Sequence, residues 1–214
     1  EGGKFALSHN RASAEAAVHG ARLGLIADVE AVVATHAYFF DCLPTPSASE
    51  LAEAVSAAFG VLKANILSPE GLIKHRWTTP DRIPHRYMWL WDSAFHALGL
   101  RHLSPELAAD AILAVLDCQA PDGFIPHMAT PERISRITQP PVLAWALWQV
   151  FALGQCTDHL AEAYPKLQAY LKWNDANRDH NRNNLYEWYV NQNSQYRSNR
   201  CDESGMDNSI RFDN

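Results

Sequence analysis

Residues 68–100 read SPEGLIKHRWTTPDRIPHRYMWL and then WDSAFHALGL, and this stretch decides the fold class. The first part contains three prolines and Gly71, which exclude a regular helix. The second part, from Trp91 to Leu100, has no proline and predicts a helix. A long irregular connection that leads directly into a helix often carries functional residues.

The same alternation of helix and long connection continues on both sides of this stretch. Ser104 is a typical N-cap because Pro105 and Glu106 follow it. Helices are predicted over residues 13–40, 49–66, 91–100, 104–119, 140–153 and 158–174. Irregular stretches are predicted at 68–90, 121–138 and 177–214, and almost no strand pattern is present. Helix hairpins with functional loops at one end predict an all-α toroid, although an irregular helical bundle fits the same periodicity.

The composition narrows the class of function. The chain has 214 residues, 47% of them hydrophobic, and a net charge of -6 from 18 basic and 24 acidic residues. This balance argues against nucleic acid as a partner, because nucleic acid selects a clustered basic surface. The longest apolar run, 142–154, is shorter than the roughly 20 residues of a membrane span. The cysteines Cys42, Cys118, Cys156 and Cys201 form no C-x-x-C pair and are predicted to be buried free thiols.

Two loops combine side chains that suit a sugar. Trp89, Trp91 and Asp92 bring aromatic faces, which stack on sugar C–H surfaces, next to a carboxylate that accepts hydroxyl hydrogens. Packed aromatics with a helix-capping Asp are the alternative interpretation. In the second loop, His127 and Gln139 can bond a polar ligand, although each could also be a structural loop residue.

A third loop, residues 202–209, reads DESGMDNS. An inverting glycosidase needs one carboxylic acid to protonate the leaving oxygen and a second carboxylate, roughly 6.5–9.5 Å away, to activate water. Asp207 could serve in either role. Two acids near a glycine are also common in loops without catalytic function.

Residues 179–187 resemble the opening of a calcium-binding loop. Side-chain oxygens fall at Asp179, Asn181, Asn183 and Glu187, with the carbonyl of Leu185 between them. Position six is Asn184 where Gly is usual, and position twelve is Val190 instead of Glu. A polar turn therefore competes with a structural Ca²⁺ site, and no cofactor is expected for the chemistry itself.

The four loop motifs together resemble glycoside hydrolase family 63, which includes processing α-glucosidases and the glucosylglycerate and mannosylglycerate hydrolases. The motifs occur in the family's order, and trehalases carry a related version of the last one. They are Trp89-Leu90-Trp91-Asp92-Ser93, Gly123-Phe124-Ile125-Pro126-His127, Thr138-Gln139-Pro140-Pro141 and Glu203-Ser204-Gly205-Met206-Asp207-Asn208-Ser209. Ile210 stands where the family commonly has Pro.

The resemblance implies an (α/α)6 barrel, inversion at the anomeric carbon, and Asp207 as the general acid. The general base would be a Glu beyond residue 214. The candidate sugar-binding residues are Trp89, Trp91, Asp92, His127, Gln139, Glu203 and Gly205. The candidate calcium ligands are Asp179, Asn181, Asn183, Leu185 and Glu187.

The expected organisation follows from the same resemblance. Residues 1–10 would end a preceding β-sandwich domain or linker, with a strand at 4–8. Residues 11–48 would form a linker helix. Residues 49–214 would form the N-terminal half of the catalytic barrel, and the C-terminal half of the barrel would be the partner of this segment. The expected function is release of a terminal α-linked glucose or mannose from an oligosaccharide or small glycoside by a soluble cytoplasmic or periplasmic protein. A catalytically inactive barrel that binds carbohydrate or acts as a scaffold is the alternative.

Overall fold

A computed structural model describes residues 3–10, 13–84, 86–154, 157–188 and 202–204. The chain divides into two compact units, with the boundary between Leu43 and Pro44. The division lies inside the linker helix expected over residues 11–48, and the expected domain scheme itself stays a prediction.

The first unit contains helices α1 (Ala14–Ile26) and α2 (Val29–Asp41). The single helix predicted over 13–40 is wrong, because Asp28 starts a new helix by accepting a hydrogen bond from Ala31 N at 3.1 Å. The two helices meet at 90°. Among the described residues no single helix is long and apolar enough to cross a membrane, and only this bent pair meets the length and composition criteria together.

Residues 3–10 form neither helix nor strand. They lie against α1, where a side chain at Gly24 would place its Cβ 2.9 Å from the Cβ of Ala6. A strand at 4–8 would need a partner strand to complete its hydrogen bonds. The proposed end of a β domain therefore stays a prediction.

The second unit is mostly helical, as predicted. Its helices are α3 (Ala52–Ala64), α4 (Leu90–Leu100), α5 (Pro105–Asp117), α6 (Leu143–Gly154) and α7 (Thr157–Asn177). Short 3₁₀ turns cover Ser49–Leu51 and Asp202–Ser204. Short strands, which the sequence pattern did not predict, lie within or directly before the irregular stretches: β1 (Ile66–Leu67), β2 (Trp77–Thr78), β3 (Met88–Trp89) and β4 (Met128–Ala129).

Helix α5 is the centre of the core. Its N-terminus is capped as predicted, because Ser104 Oγ accepts a hydrogen bond from Leu107 N at 3.1 Å. An unbroken run from Ile112 to Leu116 is buried on every side, since α4, α6 and α7 all pack against this helix. Small alanines elsewhere on α5 let these neighbours approach closely.

The strands form two antiparallel pairs that fix the irregular stretches. β1 pairs with β2, and β3 pairs with β4 so that Trp89 lies opposite Met128. The second pair holds the first and second motif loops side by side at the start of α4. The stretches predicted as irregular are therefore ordered where they approach the candidate site.

The cysteine prediction is partly confirmed. Cys118 is a buried free thiol, and burial raises its pKa to about 12. Cys42 is free but exposed, so its predicted burial is wrong. Cys156 and Cys201 lie outside the described residues.

Candidate active site

The first two motifs meet at the junction of β3 and α4. Leu90 N donates to the carbonyl oxygen of His127 at 2.9 Å. The rings of Trp89 and His127 contact edge to face, with their centroids 5.2 Å apart. Trp89 Nε1 is buried and bonds to no described residue. A buried N–H without a protein partner is a donor that a polar ligand can use.

The third motif reaches the first through Gln139. Its side-chain oxygen accepts a hydrogen bond from Trp91 N at 3.1 Å, and the residue is only 4% exposed. Trp91 is half-buried and its ring contacts Phe95, with centroids 5.7 Å apart. Asp92 lies in the first turn of α4. The side chain of Gln139 therefore fixes the helix start that carries two predicted sugar-binding residues.

His127 is oriented by a residue that the motif analysis missed. Ser135 Oγ lies 2.6 Å from His127 Nδ1 and 3.2 Å from the carbonyl oxygen of Ile137. Met128 N donates to the same hydroxyl at 3.3 Å. The Nδ1 contact holds the ring plane and directs Nε2 away from Ser135. A single serine in an irregular stretch carries no signal in the sequence that could have identified it.

Glu203 is enclosed by other protein groups. Its side chain has 0% exposure. It accepts hydrogen bonds from Arg178 Nε at 2.8 Å, from an Arg178 terminal nitrogen at 2.6 Å and from Thr138 N at 3.2 Å. A carboxylate bonded in this way anchors protein segments. The contacts favour a positioning role for Glu203, and its predicted contact with sugar stays a prediction.

Tyr170 of α7 completes the buried network. Its hydroxyl donates to the carbonyl oxygen of Gln139 at 2.6 Å and lies 2.6 Å from Thr138 Oγ1. Burial raises the pKa of Tyr170 to about 12, so the hydroxyl keeps its proton at neutral pH. The backbone and the side chain of Gln139 are thus both held, one by Tyr170 and the other by Trp91.

The second motif is pressed against α7. Gly123 has a φ of 99°, and a Cβ there would lie 2.5 Å from the carbonyl oxygen of Ala169. Only glycine meets both demands. Phe124 packs on Trp173 of α7 with ring centroids 5.1 Å apart. Helix α7 is therefore a common support for several motif loops.

Two predicted site residues lie outside the described residues. They are the general acid Asp207 and the sugar-binding Gly205, and their assignments stay predictions. The roles of Trp89, Trp91, Asp92, His127 and Gln139 toward sugar also stay predictions. The structure nevertheless brings the motifs that carry these five residues together.

The 179–187 loop is compact. The carboxylate of Asp179 accepts backbone hydrogen bonds from Asn183 N at 2.9 Å and from Asn184 N at 3.1 Å. Asn181 and Asn183 accept similar bonds from Asn183 N and Leu185 N. Asn184 adopts a φ of 65°, the left-handed conformation usual at this position of a calcium loop.

The donor set of this loop suits a hard cation. Carboxylate, amide and carbonyl oxygens are the ligands that Ca²⁺ prefers, and each oxygen has a second lone pair. No cluster of three His, Cys, Asp or Glu residues with metal-binding geometry occurs in the described part of the chain. Amides and a carbonyl would therefore have to complete the site, and calcium binding stays a prediction.

Comparison with known proteins defines the family. A family model described as the mannosylglycerate hydrolase MGH1-like glycoside hydrolase domain matches residues 85–214, more than half of the chain. The match begins just before the first motif and contains all four motif loops. The chain belongs to this family of glycoside hydrolase domains, within glycoside hydrolase family 63.

Curated relatives match part of the chain. It is 31% identical to the mannosylglycerate hydrolase of Thermus thermophilus over an alignment 166 residues long, and the alignment covers 64% of this chain and 37% of the relative. It is 30% identical to the glucosylglycerate hydrolase of Mycolicibacterium hassiacum, with 64% of this chain and 36% of the relative covered. The chain thus spans less than two fifths of the length of these relatives.

Solved structures agree with the sequence comparison. A crystal structure of the family 63 mannosylglycerate hydrolase from Thermus thermophilus, in complex with Tris and D-glycerate, matches with a TM-score of 0.59 and 31% identity. The match covers 71% of this chain and 38% of that one. A structure of the same enzyme in complex with glucose gives a TM-score of 0.57 and 30% identity, with coverage of 72% and 41%.

Proposed function

We propose that the full-length protein hydrolyses a terminal α-linked glucose or mannose with inversion, and that this segment supplies the general acid and part of the sugar site. One observation supports the proposal: three motifs that are scattered along the sequence meet in one hydrogen-bonded assembly, which also includes Glu203, the first residue of the fourth motif. Leu90 bonds to His127, Trp91 to Gln139, and Thr138 to Glu203. Aromatic, amide and imidazole groups at one place suit recognition of a sugar.

The substrate class that we propose is an α-hexosylglycerate. Two relatives are named mannosylglycerate and glucosylglycerate hydrolase, and solved structures of one relative hold D-glycerate or glucose. A small glycoside with an acidic aglycone is therefore a better first substrate than an oligosaccharide.

In the proposed mechanism Asp207 protonates the leaving oxygen. A free Asp has a pKa of about 3.9, so apolar surroundings must raise this pKa to keep the acid protonated near neutral pH. The general base would be a Glu outside residues 1–214. Inversion requires the two carboxyl groups to lie roughly 6.5–9.5 Å apart, which leaves room for the attacking water.

We also propose that these helices belong to an (α/α)6 ring. Trp145 and Trp148 of α6 are 48% and 60% exposed, although apolar side chains of this size favour burial. A neighbouring helix of a closed ring would cover them. The Asp179–Glu187 loop would bind Ca²⁺ as a structural element, and the chemistry would need no cofactor.

The test uses the full-length protein with mannosylglycerate and glucosylglycerate. Proton NMR follows which anomer of the released sugar appears first, and inversion requires the β-anomer. Asp207→Asn should lower kcat about 10²–10⁴-fold, the usual contribution of a general acid. Hydrolysis of a glycosyl fluoride, whose leaving group needs little protonation, should fall much less.

Asp158→Asn is the matched control, because Asp158 is an exposed residue in the first turn of α7, outside the motif loops. This variant should retain wild-type turnover. A wild-type protein that binds these glycosides and releases no sugar would support the inactive carbohydrate-binding alternative. Near-native turnover by Asp207→Asn would remove Asp207 from the mechanism.

A further inference from the structure

Tyr170 is a polar side chain in the core of the second unit. It belongs to α7, and only 1% of its surface is exposed. Its hydroxyl donates to the carbonyl oxygen of Gln139 at 2.6 Å, and Thr138 Oγ1 lies 2.6 Å from the same hydroxyl. A hydroxyl carries one proton, which here points to Gln139, so Thr138 is the donor in the second bond. The direction of both bonds is therefore fixed.

The chain directly after Gln139 has no backbone donors by which it could be held. Pro140 and Pro141 follow, and proline has no backbone N–H. No neighbouring segment can therefore bond these two residues through an N–H group. The carbonyl oxygen of Gln139 provides the anchor instead, and Tyr170 supplies its donor from α7.

Helix α7 is a firm support for this hydroxyl. Ala169 packs so closely on Gly123 that a Cβ at this glycine would lie 2.5 Å from the alanine carbonyl oxygen. One turn before Tyr170, the carbonyl oxygen of Lys166 accepts from Gln119 Nε2 at 2.8 Å. Both contacts fix α7 against the segment that carries the second motif. Tertiary packing on both sides of the helix turn therefore sets the position of the tyrosyl hydroxyl.

Gln139 is held at both of its ends. Tyr170 bonds its backbone carbonyl, and Trp91 N donates to its side-chain oxygen at 3.1 Å. The residue is only 4% exposed, so its side chain has little room to reorient. Because the side-chain oxygen already has a partner, the amide nitrogen is the group that can donate to a sugar hydroxyl. Its direction depends on both anchors, since a shift of the backbone would turn the amide about its bond to Trp91.

We propose that Tyr170 is a positioning residue that directs the side-chain amide of Gln139 toward the sugar, an inference that rests on the proposed hydrolase function. Tyr170 acts through Gln139, since its hydroxyl is buried and both of its bonds are made to protein groups. Burial raises the pKa of Tyr170 to about 12, so the hydroxyl remains a donor near neutral pH.

A positioning role and a structural role for Tyr170 have different effects on catalysis. If Tyr170 only stabilises the core, its loss lowers the melting temperature and leaves the kinetics of the folded protein unchanged. If Tyr170 directs Gln139, its loss weakens sugar binding in the folded protein, but only while Gln139 is present. A double-mutant cycle between the two residues separates these roles.

The experiment uses the full-length protein with Tyr170→Phe, Gln139→Met and the double variant. Steady-state kinetics on mannosylglycerate and glucosylglycerate are measured below the melting temperature of each variant. For Tyr170→Phe we expect KM to rise about 3- to 10-fold, within the contribution of one hydrogen bond, and kcat to stay within about threefold. In the double variant kcat/KM should equal that of Gln139→Met to within about twofold, because the amide that Tyr170 positions is already absent.

Tyr164→Phe is the matched control, because it removes the same hydroxyl from another tyrosine of α7. Tyr164 is 58% exposed and accepts from Gln168 Nε2 within the same helix at 2.9 Å. This variant should keep the wild-type kcat and KM. If Tyr170→Phe does not fold, Thr138→Val carries the same cycle, because it removes the bond that orients the tyrosyl hydroxyl. A smaller rise in KM that disappears in the Gln139→Met background is then expected.

An unchanged KM in a folded Tyr170→Phe variant would reject the positioning role and leave Tyr170 as a core residue. A loss that multiplies with that of Gln139→Met would also reject it, because Tyr170 would then act through another group. The proposed function fails separately, when the wild-type protein hydrolyses neither glycoside, and the positioning role then falls with it.

Discussion

The backbone N–H of Trp91 donates to the side-chain oxygen of Gln139, 48 residues later in the chain, at 3.1 Å. This bond replaces an ordinary helix cap, because Trp89 occupies the N-cap position of α4 and offers no capping side chain. Gln139 therefore has two roles. Its side-chain oxygen accepts a backbone N–H at the start of α4, and its amide nitrogen can donate to a sugar hydroxyl.

Replacement of Gln139 should impair both roles. Gln139→Met leaves the Trp91 N–H without its acceptor, which should destabilise the protein by about 1–3 kcal/mol. The start of α4 should then shift, and kcat/KM for a hexosylglycerate should fall about 10- to 100-fold. Steady-state kinetics and thermal melting of the full-length variant measure the two effects.

Gln149→Met is the control for this change. Gln149 accepts from Arg101 through its side-chain oxygen, at a contact between α4 and α6 that includes none of the motif residues. The Gln149→Met substitution should lower the melting temperature and leave kcat/KM unchanged. A folded Gln139→Met variant with wild-type kcat/KM would show that Gln139 has no role toward sugar.

Alkaline pH should destabilise the protein through two buried groups. Burial raises the pKa of Cys118 from 9.0 to about 12 and that of Tyr170 from 10.0 to about 12. Both groups hold their protons more tightly in the folded state, so their contribution to stability is complete below pH 9 and is lost as the pH rises through 12. The free energy of unfolding, measured by urea titration, should therefore decline across this range.

Single variants separate the two contributions. Tyr170→Phe should reduce the decline between pH 10 and 12, and Cys118→Ala should reduce the part that begins near pH 9. A profile that is the same in wild type and both core variants would contradict this account.

The sequence predicts the helices themselves better than the individual side chains that cap them and hold them in place. Helix α5 was predictable because Ser104, Pro105 and the apolar run all act locally. The break at Asp28 was missed because the apolar pattern continues across it, whereas the cap that decides the break is a single side chain.

In the candidate site, too, the residues with suitable chemistry were predictable and the residues that act through distant partners were not. Trp91, His127 and Gln139 were recognisable because aromatic, imidazole and amide groups are chemically suited to sugar. Arg178 and Tyr170 were missed, since their importance comes from partners that are distant in sequence. Only the fold could show that the carboxylate of Glu203 is already bonded to protein.

We expect the 179–187 loop to bind calcium weakly enough that a chelator removes the ion. Its oxygens already accept backbone N–H groups, and this arrangement preorganises them around the turn. The loop closes at its base, where Glu187 N donates to the carbonyl oxygen of Arg178 at 2.6 Å. An ion held here would therefore also steady the end of α7.

Calcium at about 100 times its dissociation constant should stabilise the folded protein by about 2.7 kcal/mol. For a protein of 150–250 residues, each kcal/mol corresponds to a shift of roughly 2–4 °C in melting temperature, and less for a larger one. Differential scanning calorimetry of the full-length protein, first with EDTA and then with excess CaCl₂, should show this increase.

Asp179→Asn removes the only charged ligand at the start of the loop and should abolish most of the calcium-dependent increase in melting temperature. Asp158→Asn, which alters an exposed acid in the first turn of α7, should retain it. An equal increase in both variants would place the calcium elsewhere, and no increase in the wild type would leave these residues as a polar turn.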